Sequence, residues 1–372
     1  MTAPSERSGN RVLFLTPEAP SLGSGGGALR SASLLEYLHQ KYDVQIASLT
    51  LPHHSKSFAA RAWRNSIRFA RGRPPLFDRY SGFDEQIRGQ MRGRYRFALV
   101  EHFWCASYAA VLRPHSDQLI LDLHNVESAL AWSHSRATSG LESAFFRRFA
   151  RAYERLEKDL LPQFDMILVT SEQDRQRISH PRVVVYPNAL PQRDIPEAPE
   201  AERIVFSGNM EYHPNVEAVR WFRREIWPQL RAEFPQLEWW LVGRNEQAIR
   251  ALIAGDERIH ATGPVNDADA ILATARICVV PLLSGSGTRF KILEAWAAKR
   301  PVVSTSIGAE GLDAVPGEHL LIGDTASGFV DAVRDALRSP SLRLQLGQRG
   351  HQWYLSRYTW RAAWKSLEAA GL

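Results

Sequence analysis

The chain has 372 residues, 44% hydrophobic and 23% charged, with a formal net charge of +6. That length suits two domains better than one, and the composition excludes disordered, fibrous and low-complexity classes. Its two cysteines, Cys105 and Cys278, exclude a disulfide framework and a thiolate zinc site, and no apolar run approaches the roughly 20 residues that span a bilayer.

The opening MTAPSERSGN lacks the charged-then-apolar profile of a secretion signal, so the chain is expected in the cytosol. Charge is uneven. Residues 1–190 carry 25 Lys+Arg against 18 Asp+Glu, and within them 56–96 carry eleven basic against three acidic side chains. A basic half points to an anionic partner.

In chain order, VLFLT (12–16) reads as a buried strand, followed by a glycine-rich loop, a helix over 28–40 and strand VQIAS (44–48). The loop carries G-x-G-x-x-A at Gly23, Gly25 and Ala28, the pattern of a dinucleotide fold. Six residues separate the strand from Gly23, and the second strand ends without an acid to hold a ribose, so an NAD site is not expected. Farther on, Arg61, Arg64, Arg68 and Arg71 share one arc of a helical wheel next to Trp63, Ile67 and Ala70, which predicts a basic amphipathic helix. Such a helix suits an anionic leaflet, at about 1 kcal/mol per basic residue near the surface. The plainer alternative packs its apolar face on the sheet and leaves the arginines in solvent. Few aromatics at platform spacing and no nucleic-acid motif accompany these arginines, so nucleic acid is not an expected partner.

Strands FALVE (97–101) and QLILDL (118–123) follow, then a long helix ending near Leu160. That helix repeats the theme, with Phe145, Phe149, Leu156 and Leu160 beside Arg147, Arg148, Arg151, Arg155 and Lys158. His124 stands at the carboxyl end of its strand, where open α/β sheets bind ligands. A helix cap near Asn125 would explain it equally, and Asp122 and Glu127 lie alongside. After MILVT (166–170) and VVVYP (183–187), the proline-rich NALPQRDIPEAPEAE breaks every pattern and reads as a linker over 188–202.

The alternation then restarts with RIVFSG, LEWWLVG, RIHATG, ICVVPLL, PVVSTS and HLLIG, so two consecutive doubly wound α/β domains are expected, with a cleft between them. The stretch from Pro340 is helical by pattern, with a break near Tyr358. Arg244 and Asn245 end the second of these strands and are candidates to reach a nucleotide, against a capping role. Asp267-Ala268-Asp269 imitates a metal-binding D-x-D but opens a helix, where an N-cap is the simpler account. His53-His54 has no nearby acid or cysteine and reads as loop.

In LLSGSGTRFKILEAWAA a strand ends and a helix is expected from Thr288. The backbone of Gly285, Ser286, Gly287 and Thr288 would then form an anion site at the helix start. Arg289 and Lys291 stand in the first turn, where the helix dipole opposes positive charge unless an anion offsets it. Glu294 lies one turn deeper, placed to accept hydrogen bonds from ribose hydroxyls or to pair with Lys291 at i,i+3 spacing.

The segments SGSGTRFKILEAWAAKRPVVSTSIGAEGL, VYPNAL and LHNVES resemble the retaining family 4 glycosyltransferases of GT-B fold, most nearly the bacterial transferases of exopolysaccharide assembly, over nearly the whole chain. The resemblance implies two Rossmann-like doubly wound parallel-sheet domains facing across a cleft. An acceptor-binding domain would span 1–190, a nucleotide-sugar-binding domain 203–356, and a C-terminal helix over 357–372 would cross back. It implies a nucleoside-diphosphate-sugar donor, a saccharide or lipid-linked acceptor, no cofactor and no catalytic metal, with domain closure near Asn188. Glu294 matches the family glutamate that holds the donor ribose. The glutamate eight positions earlier falls on Ser286, a departure that leaves the donor-sugar contacts open. The family's Arg…Lys pair after the first strand of the second domain is also missing from SGNMEYHPN, which assigns diphosphate neutralisation to Arg289 and Lys291. Gly25, Gly26 and Gly27 would let donor phosphate approach the backbone. His124 would touch the reacting sugar, a role that suits a neutral imidazole. The expected protein is a cytoplasmic glycosyltransferase that meets the inner face of the plasma membrane through 56–96. The competing readings are a catalytically silent GT-B protein and a nucleotide-sugar epimerase.

Overall fold

In a computed structural model, which describes residues 9–17, 26–51, 58–285 and 289–372, the chain divides into two compact units. One spans 1–187 with 364–372, the other 188–363.

The first unit is built on β1 (Arg11–Thr16), β2 (Asp43–Ser48), β3 (Tyr95–Glu101), β4 (Ser116–Asp122), β5 (Met166–Val169) and β6 (Val183–Val185). They form one sheet in the order β2-β1-β3-β4-β5-β6, every pair parallel. The near-continuous apolar runs follow from this, because a parallel sheet is covered on both faces: Val12 to Leu15 and Leu119 to Leu121 are fully buried. Both cysteines are buried and unpaired, and burial pushes the Cys278 thiol up to about 12.

The long helix expected before Leu160 is two helices, Glu127–Ala137 and Gly140–Leu160. Thr138, Ser139 and Gly140 interrupt it, and Gly140 takes φ 60°, which a glycine adopts without strain. The helix predicted over 61–71 runs Phe58–Arg71. Among the described residues, no helix is long and apolar enough to cross a membrane.

The second unit repeats the plan with β7 (Arg203–Ser207), β8 (Glu238–Val242), β9 (Ile259–Ala261), β10 (Ile277–Val280), β11 (Val302–Ser304) and β12 (Leu321–Ile322), in the order β12-β11-β10-β7-β8-β9. All its pairs are parallel. Each sheet therefore reverses its winding once, between β1 and β3 in the first unit and between β7 and β10 in the second. Such switch points leave a crevice beyond the strands' carboxyl ends.

The segment 188–202 carries no helix or strand. Leu190 bridges Thr359, its amide donating to Tyr358 O at 2.9 Å while the Trp360 amide donates back to Leu190 O at 3.0 Å. From Trp364 the closing helix, Trp360–Ala369, belongs to the first unit. Trp364 Nε1 donates to Ser33 O at 3.1 Å and its ring lies 5.8 Å from that of Tyr37. Leu367 in this tail is fully buried. Truncating it to alanine should destabilise the first unit by about 2–5 kcal/mol. Calorimetric unfolding checks this, and an unchanged first-unit transition would mean that the tail does not hold that unit together.

Candidate functional site

Each switch point gathers polar side chains, and each is described by itself. In the first unit the centre is Arg30, a fully buried arginine on the helix Gly26–His39 that follows β1. Its Nε lies 3.1 and 2.9 Å from the two carboxylate oxygens of Asp122, the last residue of β4, and its Nη2 also reaches that carboxylate. Nη1 donates to Tyr186 O at 2.6 Å, and the guanidinium stacks 4.5 Å over the Tyr186 ring. Burial opposes the Asp122 carboxylate, but Arg30 and then His124 outweigh it and hold the carboxyl well below the usual range.

His124 Nε2 lies 3.3 Å from Asp122 Oδ2 and 3.5 Å from Glu101 Oε1. Glu101 ends β3, is fully buried, and finds no aligned hydrogen-bond partner for either oxygen among the described residues. Asp122 and Glu101 both approach the His124 ring: burial works against the imidazolium, yet these two acidic side chains raise its pKa above the ordinary histidine value.

The raised pKa favours the imidazolium, whereas the resemblance suggested a role for a neutral ring. Nor does His124 cap a helix, since the next helix begins at Glu127 with no side-chain cap. Of the three loop glycines, Gly27 lies against His124, a Cβ there coming 3.4 Å from Nδ1. Gly26 opens the helix, and Gly25 lies outside the described residues.

His102, absent from the sequence-based candidates, completes this centre. It has φ 63° and ψ 140°, a conformation that costs a non-glycine residue about 1–3 kcal/mol and accumulates at functional sites. Its ring stacks on Trp104 with centroids 4.3 Å apart and lies 3.7 Å from the His124 ring. Burial and then the His124 charge push its pKa well below the ordinary value. The two neighbouring imidazoles are shifted in opposite directions, the pattern that separates an acid from a base. Glu127 accepts from Trp104 Nε1 at 3.0 Å, and burial lifts its carboxyl to about 7. Glu101, Asp122 and His124 offer atoms within 4.8 Å of one another, a spacing a metal would accept. Arg30 already engages both Asp122 oxygens, however, and its guanidinium opposes a further cation.

In the second unit, loops after β7, β8 and β10 meet. Asn245 Nδ2 donates to Asn209 Oδ1 at 2.8 Å and the Met210 amide donates to Arg244 O at 3.0 Å, so Asn245 cross-links two loops while the Arg244 side chain is exposed. The helix after β10 is Phe290–Ala297, starting two residues later than expected. Ser286, Gly287 and Thr288 lie outside the described residues.

Arg289 precedes the first turn. It is 5% exposed, and its guanidinium donates to Gly285 O at 3.0 Å and to Ile307 O at 3.2 and 3.0 Å. Lys291 is half-buried, its Nζ donating to Asn215 Oδ1 at 2.6 Å and lying 4.2 Å over the Phe206 ring. Burial and then Arg289 lower its pKa to about 7, against a weaker pull from Glu294. The ammonium lies 3.3 Å from where a Cβ would stand on Gly208, so a glycine after β7 makes room for a cation that the loop itself lacks. Glu294 accepts from Ser207 Oγ at 3.2 Å and does not pair with Lys291 in a hydrogen bond. Asp267 caps its helix, accepting from the Ala270 amide at 2.9 Å, and Asp269 pairs with Arg193 at 2.7 Å.

In the basic region, Arg68 pairs with Asp78 at 2.8 Å and is not offered to a membrane. The Arg61 and Arg64 side chains lie outside the described residues, and Trp63 is 70% exposed.

Comparison with known proteins fits this anatomy. Residues 201–339, within the second unit, match the family described as "Glycosyl transferases group 1". A Klebsiella pneumoniae protein described as an uncharacterized 44.6 kDa protein in the cps region is 22% identical over 345 residues, 84% of this chain and 87% of that protein. Among solved structures, sucrose-phosphate synthase from Thermosynechococcus elongatus superposes with a TM-score of 0.67 at 17% identity, covering 97% of this chain and 98% of that one. WaaG, a glycosyltransferase involved in lipopolysaccharide biosynthesis, gives 0.64 at 12% identity over 96% and 99%. Anabaena HepE in complex with UDP and glucose gives 0.62 at 12% identity over 96% and 98%. These likenesses show a GT-B fold.

Replacing Glu101 with glutamine should lower the His124 pKa toward the ordinary histidine range, read from imidazole NMR shifts against pH. His124 is raised in the fold, so its stability contribution is complete below the unfolded value and is lost as pH rises through the folded one. The variant should narrow that window. An unmoved His124 titration would show that Glu101 does not hold the charge.

Proposed function

We propose that the protein transfers a sugar from a nucleoside diphosphate sugar to an acceptor hydroxyl, with retention and without a catalytic metal, in polysaccharide or glycolipid assembly on the cytoplasmic side of the membrane. The observation that carries this reading is the Lys291 ammonium, held at the switch point of a group 1 glycosyltransferase domain with a pKa lowered to about 7. A half-buried cation whose surroundings disfavour its charge gains most from an anion, and a diphosphate is the anion that this class of donor brings.

Lys291 and Arg289, with the backbone from Gly285 through Ser286 and Gly287 to Thr288, would take the diphosphate and stabilise it as the leaving group. A cation surplus there does the neutralising that a metal ion would otherwise do. Glu294, whose carboxyl is raised by burial, would accept from the ribose hydroxyls, and Arg244 and Asn245 would contact the nucleotide. His124, as imidazolium, would donate to a hydroxyl of the reacting sugar, with neutral His102 as an acceptor beside it. The UDP and glucose held by HepE make UDP the first nucleotide to try, and the cps-region relative supports a saccharide or lipid-linked saccharide acceptor.

Nucleotide binding near neutral pH should take up a proton and weaken as pH rises above about 7, because deprotonated Lys291 attracts no anion. Calorimetry in buffers of different ionisation enthalpy measures that uptake. A thermal-shift panel of UDP, GDP, dTDP and ADP, each also as sugar conjugates, tests the assignment. At 100 times its Kd the accepted nucleotide should add about 2.7 kcal/mol to the wild type and lose that effect in Lys291→Met, while transfer survives a chelator. If no nucleotide shifts the wild type, the donor site is refuted and a silent GT-B protein takes its place. A donor sugar altered without acceptor would indicate an epimerase.

A further inference from the structure

Two acids of the helix Gly140–Leu160 are engaged by the helix Glu127–Ala137: Glu154 accepts from Trp132 Nε1 at 2.7 Å, and Glu157 accepts from the Ser128 amide at 2.9 Å and from Ser128 Oγ at 2.6 Å. Four arginines of the same helix line a groove of about 570 Å³ against the end of the helix Phe58–Arg71. Five of the groove's eight lining residues are arginines, namely Arg71, Arg147, Arg148, Arg151 and Arg155, and none is acidic.

Two of the five have a structural account. Arg148 closes the carboxyl end of the helix Phe58–Arg71, its Nε and Nη2 donating to Phe69 O at 2.7 Å and Ala70 O at 3.1 Å while its guanidinium covers the Phe69 ring. Arg71 stands in the last turn of that helix, where a cation is favourable. Phe69 stacks on Phe145, which fixes the two walls together. The remaining three have no such account. Arg147, Arg151 and Arg155 repeat at i, i+4 and i+8, a spacing at which like charges destabilise a helix. Among the described residues none of them meets a carboxylate within ion-pair distance. An anion between them would reverse the sign of that interaction.

We propose that this groove is a binding site for a phosphate or diphosphate group. Guanidinium forks match tetrahedral phosphate oxygens in bidentate pairs, and several converging forks select phosphate over a single carboxylate. The volume exceeds that of a bare phosphate and lies in the range of sites for small molecules, so the group is borne by something larger. Trp63 is 70% exposed and Leu141 is 92% exposed, the first about two turns before Arg71 and the second within one turn of Ala144 on its own helix, which gives the site an apolar approach suited to a lipid carrier. The site lies wholly within the first unit and does not depend on the donor reading.

The test uses the full chain carrying Lys291→Met, which silences the other candidate phosphate site, with and without R147Q/R151Q/R155Q. Inorganic pyrophosphate is titrated by calorimetry. Phosphatidylcholine vesicles with and without phosphatidylglycerol are tested by co-sedimentation. We expect binding that weakens with salt and falls at least about tenfold in the triple variant. The variant should melt no lower than its parent, since it loses only repulsion. Pyrophosphate binding identifies a soluble phosphate compound as sufficient, and binding to phosphatidylglycerol vesicles alone assigns a lipid headgroup. Equal binding with and without the three arginines, or no binding to either probe, overturns the site.

Discussion

Arg30 is the interaction on which the first unit's polar centre depends. A guanidinium with almost no exposed surface survives only where carboxylate and carbonyl oxygens meet its donors, and Asp122 and Tyr186 do so. That engagement ties the helix after β1 to the end of β4 and to the segment after β6. It also bears on the histidines nearby. The Asp122 side chain that Arg30 holds in place, together with Glu101, raises the His124 pKa. Burial lowers that of His102, and the His124 ring 3.7 Å away lowers it further.

Much of the architecture is legible in the sequence because parallel strands buried on both faces leave near-continuous apolar runs. ICVVPLL and VLFLT show the strands, and the restart after the prolines shows the second sheet. The helix break at Thr138-Ser139-Gly140 was signalled by residue types known to interrupt helices and was outweighed by the apolar periodicity on either side. Glu294, Lys291 and His124 stand out because the rule about strand carboxyl ends selects their loops.

Arg30, Glu101 and His102 escape for different reasons. An arginine within a helix reads as a solvated side chain unless its tertiary partner is known, and Asp122 lies 92 residues away. Glu101 and His102 follow a strand as directly as His124 does, so the same rule reaches them. Their value rests on burial and on a positive φ that residue identity does not encode. Arg68 shows the converse: its place on the basic arc suggested a surface contact, and Asp78, ten residues on, claims it instead.

The two switch points differ in charge, and the difference constrains what each can hold. At the first, the acidic side chains of Glu101 and Asp122 stand beside Arg30 and a His124 whose pKa they raise. Acidic and basic groups meet there in equal number, a setting that suits a neutral polyhydroxyl ligand better than an ion of either sign. At the second, burial and Arg289 together outweigh Glu294 at the Lys291 ammonium and bring its pKa to about 7. That ammonium is maintained at a cost that an anion would remove.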